Sequence, residues 1–272
     1  MGARTANADR GLAPPRISIV TPSFNQAEFL EETIQSVLDQ DYPNLEYIIM
    51  DGGSTDGSVD IIRKYEDRLA YWVSAKDGGQ SAAINAGFRQ ATGEVFNWLC
   101  SDDILMPGAI WEVARGIQDC DWLIGGAYRM QADSRRDVEI DHGRYRRFDV
   151  LYNSYIINQV SVFWRKSLFE QVGGLDETLH YAMDSELWMR FEIVATPKVV
   201  RSPIAAFRVH PAQKTFTHER LWEELWCAQR RLATKRRGQK IVRRLSWHAR
   251  RWLEKAGLHE GVGNRFSAVS LE

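Results

Sequence analysis

Cysteine is scarce: the 272 residues contain three, Cys100, Cys120 and Cys227, an odd set without metal-type spacing. That excludes a disulfide framework and a cysteine-based zinc site, and it predicts reduced thiols. No apolar run approaches the roughly 20 residues that span a bilayer. The opening stretch MGARTANADRGLAPPR has no apolar signal core, so the chain is expected to be cytoplasmic rather than exported. Charge of one sign is also missing in excess, because 35 Lys and Arg face 36 Asp and Glu for a net −1. Bulk charge therefore indicates no nucleic-acid partner. Neither a G-x-G-x-x-G fingerprint after the first strand nor a Walker A loop with its lysine is present, which excludes both common backbone cradles for phosphate. What the chain does have is a 44% hydrophobic fraction, enough for one large α/β domain or a domain with an appendage.

Taken in order, the first hundred residues alternate. Residues 17–21 (ISIVT), 45–50 (LEYIIM), 69–74 and 94–99 read as strands, rich in β-branched and aromatic residues. Between them, Phe29, Leu30, Ile34, Val37 and Leu38 recur at helical spacing, Val59, Ile61, Ile62 and Tyr65 outline a second helix, and 81–91 a third. The order βαβαβαβ predicts a parallel sheet with helices on both faces. Ligands bind beyond the carboxyl ends of such strands. Each strand here ends in polar or glycine-rich sequence: Thr21-Pro22-Ser23, Asp51-Gly52-Gly53, Asp77-Gly78-Gly79 and Ser101-Asp102-Asp103. A single Asp-Gly is an ordinary turn. Three carboxylate-bearing ends on one rim point to a site.

The organising stretch is NWLCSDDILMPG, an apolar run that stops at the adjacent acids Asp102 and Asp103. Neighbouring carboxylates repel, so a site that keeps both charged supplies a cation. Hard oxygen ligands at a strand end suit Mg2+ or Mn2+ carrying phosphates. A helix N-cap would need only one of the two acids. Pro107 is expected to open the next helix.

In order along the chain stand ISIVTPSFNQ, IIMDGGSTDGS, KDGGQSAAINAGF, NWLCSDDILMPGA, QVSVFWRKSLFEQVGGLDE, AMDSELWMR and FRVHPAQKT. The ordered set resembles the inverting family 2 glycosyltransferases with the GT-A fold, from about residue 17 to about residue 217. The resemblance implies a mostly parallel central sheet flanked by helices, with a C-terminal helical extension. It implies that Thr21, Pro22 and Asn25 line the nucleotide pocket and that Asp51 accepts a hydrogen bond from the base. Asp77, Gly79 and Gln80 would approach the ribose and diphosphate, Asp102 the ribose or a metal-bound water, and Asp103 the divalent ion. By the same resemblance, Asp184 is the general base, His210 a third metal ligand, and Lys214 a contact to the diphosphate. Cys100 departs from the family's D-x-D-D pattern, which touches the full ligand set but not the metal-bearing acid. Glu186 would then be structural, and Trp188 a core or sugar-stacking residue.

In the second half, 122–126 and 158–164 read as strands, 129–147 as a hairpin or mobile loop, and 184–194 as a helix. From Glu219 onward basic residues and tryptophans interleave, with Gly238 separating two helices. Basic amphipathic helices rich in tryptophan suit an anionic membrane surface, here the inner face of the plasma membrane. The same aromatics equally suit packing on the catalytic domain.

The expected organisation is a flexible lead over 1–15, a catalytic domain over 16–217 divided into nucleotide-binding (16–105) and acceptor-binding (106–217) halves, and a basic tail over 218–272. The expected function is metal-dependent inverting transfer of a sugar, from a UDP-sugar above other donors, to a hydroxyl of a glycan or lipid-linked acceptor. Bacterial surface polysaccharide or glycolipid synthesis is the setting that the family and the tail imply. The alternatives are a nucleotidyltransferase and a catalytically silent sugar-nucleotide or glycan-binding protein. No Ser/His or Cys/His nucleophile arrangement is evident.

Overall fold

The computed structural model describes residues 13–140, 142, 145–152, 157–211, 213, 214 and 218–235. Its first half follows the alternation. Strands β1 (Ile17–Ser23), β2 (Leu45–Asp51), β3 (Tyr71–Ser74) and β4 (Val95–Trp98) are joined through helices α1 (Ala27–Leu38), α2 (Ser58–Lys64) and α3 (Gln80–Gln90). β1 pairs parallel with both β2 and β4, and β2 with β3. All seven β1 residues are buried, as a strand covered on both faces must be. Gly87 lets α3 lie directly on the sheet, since a Cβ there would stand 2.5 Å from a Val20 methyl. Helix α1 buries Phe29, Leu30, Thr33, Ile34 and Val37, the stripe that its spacing anticipated.

Beyond β4 the sheet becomes mixed. After a two-residue strand, β5 (Ile104–Leu105), come α4 (Ala109–Gly116), β6 (Trp122–Gln131), β7 (Arg136–Ile140), α5 (Arg147–Tyr152), β8 (Val162–Arg165), α6 (Lys166–Val172), α7 (Met183–Val194), β9 (Lys198–Val209) and α8 (His218–Lys235). The order across the sheet is β3-β2-β1-β4-β8-β6-β9-β5, with β7 paired to β6. The 129–147 region is thus largely a hairpin arm, β6 running on to Gln131 before β7 returns antiparallel. The helix expected at Pro107 starts at Ala109 instead, behind a left-handed Gly108 (φ 78°). The strand expected over 158–164 begins as a 3-10 turn, Gln159–Ser161.

β9 had no counterpart in the sequence reading. Its interior Pro203 argues against a central strand. The fold accommodates it with register shifts opposite Gly125 and Gly126, and a Cβ on Gly126 would come within 2.4 Å of the Arg201 carbonyl oxygen.

Four tryptophans fill the core between sheet and α7. Trp188 stacks on Trp98 with centroids 5.6 Å apart and on Trp122 at 6.0 Å, and Trp164 meets Trp98 edge-on at 5.3 Å. Trp188 is 1% exposed, so of its two expected roles it takes the core one. Leu225 and Ala228 of α8 are buried in this same cluster. α8 therefore packs on the α/β domain. The rest of the basic tail, Gly238 included, falls among residues 236–272, outside the described residues, as do residues 1–12 of the N-terminal lead. Among the described residues, no helix is long and apolar enough to cross a membrane.

Candidate active site

The carboxyl ends of β1 to β4 meet the N-termini of α3 and α7 and the end of β9, and the expected site residues lie along this rim. At β1, Thr21 and Pro22 are buried, and the Thr21 hydroxyl is 3.0 Å from that of Tyr47. They shape the floor rather than present a surface. Asn25 is exposed and left-handed (φ 51°), a conformation asparagine tolerates. Its side-chain oxygen accepts from the Thr55 amide (2.9 Å) and its own amide donates to Ser54 Oγ (2.8 Å), tying the β1 loop to the β2 loop.

Asp51 ends β2 and faces inward, 2% exposed. Its oxygens accept from the amides of Gly53 (3.1 Å) and Ser54 (2.9 Å) and from the hydroxyls of Ser54 (2.5 Å) and Ser74 (2.6 Å). In this arrangement the carboxylate shapes the DGGS turn.

Asp77 is exposed at the end of β3, where it accepts from the Gly79 amide at 2.7 Å. A Cβ on Gly52 would stand 3.1 Å from its carboxylate and 3.3 Å from the Phe24 ring, so the β1, β2 and β3 loops converge there. Gly79 has φ 102°, a turn into α3 that favours glycine. Gln80, the first residue of α3, donates to Cys100 Sγ (3.3 Å) and accepts from Lys214 Nζ (2.8 Å).

After β4, Thr33 of α1 pins the acidic turn by donating to the Asp103 (2.7 Å) and Ser101 (3.0 Å) carbonyls. Asp103 is 8% exposed. Burial first, and then the Asp102 charge, push its carboxyl well above the ordinary range, while the Arg208 amide donates to it at 2.9 Å. His210 Nε2 is 2.9 Å from Asp102 Oδ2, and its ring packs on Phe29 with centroids 4.8 Å apart. Among the described residues, the metal-capable side chains that gather are Cys100, Asp102 and Asp103, their ligand atoms within 4.8 Å of one another. His210, expected as a direct ligand, instead reaches the acid pair through Asp102.

The donor set fits a hard divalent ion. Two carboxylates this close hold both charges only with a cation between them, and their oxygens suit Mg2+ or Mn2+. The Cys100 thiol is pushed well above its usual value by burial and by Asp103 and Asp102. Sulfur is also a soft ligand that suits neither ion, so the hard part of the set is the two carboxylates.

Asp184 occupies the second position of α7, which begins at Met183. Burial raises its carboxyl to about 6, against the Ser185 amide that donates to it at 2.6 Å. Gln80 at the start of α3 touches both Cys100 Sγ and Lys214 Nζ, and Cys100 lies with Asp102 and Asp103. The base candidate, the acid pair and the lysine are therefore gathered around the start of α3. Ser81 of α3 closes the join by donating to the Leu179 carbonyl (3.2 Å) and the Met183 sulfur (2.8 Å). Glu186 is engaged elsewhere, held by Arg190 through contacts of 2.6 to 2.9 Å.

Two residues of this cleft escaped the sequence reading. Phe24 is 62% exposed beside Asp77 and Gly52, and an aromatic held open at a strand end was the available signal. Arg208 is 2% exposed and runs beneath the acid pair. It donates to the carbonyls of Asp102 (2.9 Å) and Ala132 (3.0 Å) and to Glu32 (2.5 Å), with its guanidinium 4.7 Å from the Phe29 ring. Its signal was an arginine inside the apolar run AAFRV.

A family model described as glycosyl transferase family 2 matches residues 18–195. An uncharacterized glycosyltransferase of Rickettsia typhi is 30% identical over 228 residues, covering 76% of this chain and 70% of that protein. Among solved structures, TarS residues 1–349 of S. aureus in complex with UDP-GlcNAc is similar with a TM-score of 0.68 and 17% identity, over 94% of this chain and 76% of that one. A mannosyltransferase of Pyrobaculum calidifontis in complex with GDP-Man and Mn2+ has a TM-score of 0.62 and 19% identity, over 92% and 73% respectively. The sheet and its flanking helices have the GT-A fold.

Proposed function

The chain belongs to glycosyl transferase family 2, and from that premise we propose that it moves a sugar from a nucleoside diphosphate, UDP first among candidates, onto an acceptor hydroxyl with inversion. Residues 16–105 bind the donor and 106–217 the acceptor. One observation carries the reading: Asp184 beside Met183, the Asp102–Asp103 pair beside Cys100, and Lys214 all gather around Gln80 and Ser81 at the start of α3.

The roles follow from chemistry. Thr21 and Pro22 floor the nucleotide pocket, Asn25 and Asp51 hold its walls, and Phe24 stacks on the base. Asp77, Gly79 and Gln80 meet the ribose and diphosphate. Asp103 and Asp102 would hold Mn2+ or Mg2+, which would supply positive charge for the departing diphosphate, and His210 orients Asp102. Lys214 stabilises the negative charge that develops there. Asp184 takes the proton of the acceptor hydroxyl while its oxygen bonds to the anomeric carbon and the carbon–diphosphate bond breaks. The single displacement inverts the centre without a covalent enzyme intermediate.

Two complexes support a nucleotide-sugar donor by analogy of fold: one neighbour holds UDP-GlcNAc and the other GDP-Man with Mn2+. The deciding experiment offers the full chain a panel of sugar nucleotides with Mn2+ and measures nucleotide release, with and without EDTA. Release of one nucleotide that EDTA abolishes is expected. Release that ignores EDTA removes the metal. No release from any donor, with binding intact, favours a silent binding protein, and pyrophosphate release favours a nucleotidyltransferase.

Replacing Phe24 by Ala is expected to weaken nucleotide binding by about 1–2 kcal/mol, the worth of one base–aromatic stack. Calorimetry with free UDP checks it, and Phe24→Tyr should restore affinity. Unchanged binding in Phe24→Ala places the base elsewhere.

The tail supplies the membrane part of the proposal, at the inner face of the plasma membrane with a lipid-linked glycan acceptor. Removing residues 236–272 keeps α8 and deletes most of the basic run, including Arg236, Arg237, Lys240, Arg243, Arg244, Arg250 and Arg251. Sedimentation with anionic liposomes should fall sharply on that truncation, and more so at low salt, where surface attraction is strongest. Equal sedimentation of both forms assigns the tail no membrane role.

A further inference from the structure

The loop that delivers Asp184 is held by a residue far outside the family-model match. α7 is preceded by Ala182, which has no side-chain oxygen to cap it. The amides just before the helix are satisfied from α8 instead. The Glu224 carboxylate accepts from the amides of His180 (3.1 Å), Tyr181 (2.7 Å) and Ala182 (2.9 Å). An anion at a helix N-terminus is favoured by the orientation of the peptide dipoles.

α8 is itself anchored. Leu225 and Ala228 are buried in the tryptophan core, and Arg231 reaches Asp176, at the start of the same loop, at 3.2 Å. On the opposite side the loop is tied to α3, the helix that opens with Gln80. Asn85 binds Leu175 through both its carbonyl and its amide at 3.0 Å each, and Ser81 takes the Leu179 carbonyl. The loop before the base is therefore clamped between the donor-site helix and α8.

We propose that Glu224 is a positioning residue: by fixing the backbone of residues 180–182, it aims Asp184 at the acceptor, so turnover depends on α8 staying docked. The inference rests on Asp184 being the base. A reacting group misplaced by about 1 Å costs about 100-fold in rate. Among the described residues, the Glu224 contacts reach residues 180–182 and none of the residues proposed to meet the donor.

The test compares Glu224→Ala, Glu224→Gln and Asp184→Asn with Glu223→Ala, an exposed neighbour on the same helix, as control. In Glu224→Ala, kcat should fall by about 10- to 100-fold while donor KM and UDP affinity stay within about twofold. The acid limb of the pH–kcat profile should move down, because a loosened loop rehydrates Asp184. Amide hydrogen exchange at 180–182 should accelerate. Glu224→Gln keeps one acceptor oxygen and should lose less, and Glu223→Ala nothing. Unchanged kcat in Glu224→Ala overturns the proposal, as does a loss of donor affinity parallel to kcat. If Asp184→Asn turns over normally, the base reading falls by itself, and exchange at 180–182 still reports whether Glu224 holds the loop.

Discussion

Asp184→Asn is expected to abolish sugar transfer, by about 1,000-fold or more in kcat, while leaving nucleotide-sugar affinity nearly intact. The side chain keeps its shape, and its oxygen still accepts from the Ser185 amide. What disappears is the capacity to take a proton. Single-turnover kinetics with the preferred donor separates this from a binding defect. The pH dependence carries the same assignment. A base must be ionised, and burial raises Asp184 to about 6, so kcat should climb through pH 6 to a plateau in the active enzyme. Stability should move the other way. A carboxyl raised on folding makes the native state bind the extra proton, so ionised Asp184 costs stability above pH 6. Asp184→Asn should therefore melt no lower than the unsubstituted protein at neutral pH, and the gain should vanish below about pH 4, where both states are protonated. Normal turnover in Asp184→Asn would remove it as base.

Asp103→Asn is expected to cost donor binding itself. The carboxyl is buried beside Asp102, and burial first and then that charge raise it well above its ordinary range. Such a group ionises when a cation arrives, and an amide cannot follow it. Metal affinity should fall by more than the about 100-fold that outer-shell changes reach, and with it the metal-dependent part of donor affinity. Titrating Mn2+ by calorimetry, then UDP-sugar at saturating Mn2+, measures the two losses separately. The contrast is diagnostic: Asp184→Asn keeps binding and loses turnover, whereas Asp103→Asn loses both. Equal Mn2+ affinity in Asp103→Asn would move the ion elsewhere. The Thr33 hydroxyl holds the turn through backbone carbonyls, and Asn keeps a side-chain oxygen for the Arg208 amide, so the variant is expected to keep its fold.

Much of the first half was legible because its information is local. Strands of β-branched residues, each stopped by a polar turn, alternate with amphipathic helices, and a parallel sheet then places every strand end on one rim. Asp77, Asp102 and Asp103 follow from that alone. Other residues at the same addresses did not reveal which way they face. Asp51 and Thr21 read as pocket lining, and the fold buries both, Asp51 bonded to the amide of Ser54 and Thr21 against Tyr47. Phe24, passed over between them, is the exposed one.

The second half resisted for a different reason. β9 carries Pro203 and Arg208, both contrary to a buried strand. It is a strand because Gly125 and Gly126 admit its irregular backbone and because the arginine finds carbonyls, Glu32 and an aromatic face to bond. None of those partners is near it in the chain.

The sequence by itself determined the family and the parallel first half and singled out the candidate acids, since period, turn chemistry and motif order are properties of neighbours along the chain. Tertiary structure alone decided how those acids are charged and aimed. Burial raised Asp184, proximity to Asp102 raised Asp103, His210 was turned toward Asp102, and Glu224 was brought to the base loop from α8. Charge state and direction depend on what lies within a few ångströms in space. Residues tens of positions apart acquire that closeness only when the chain has folded.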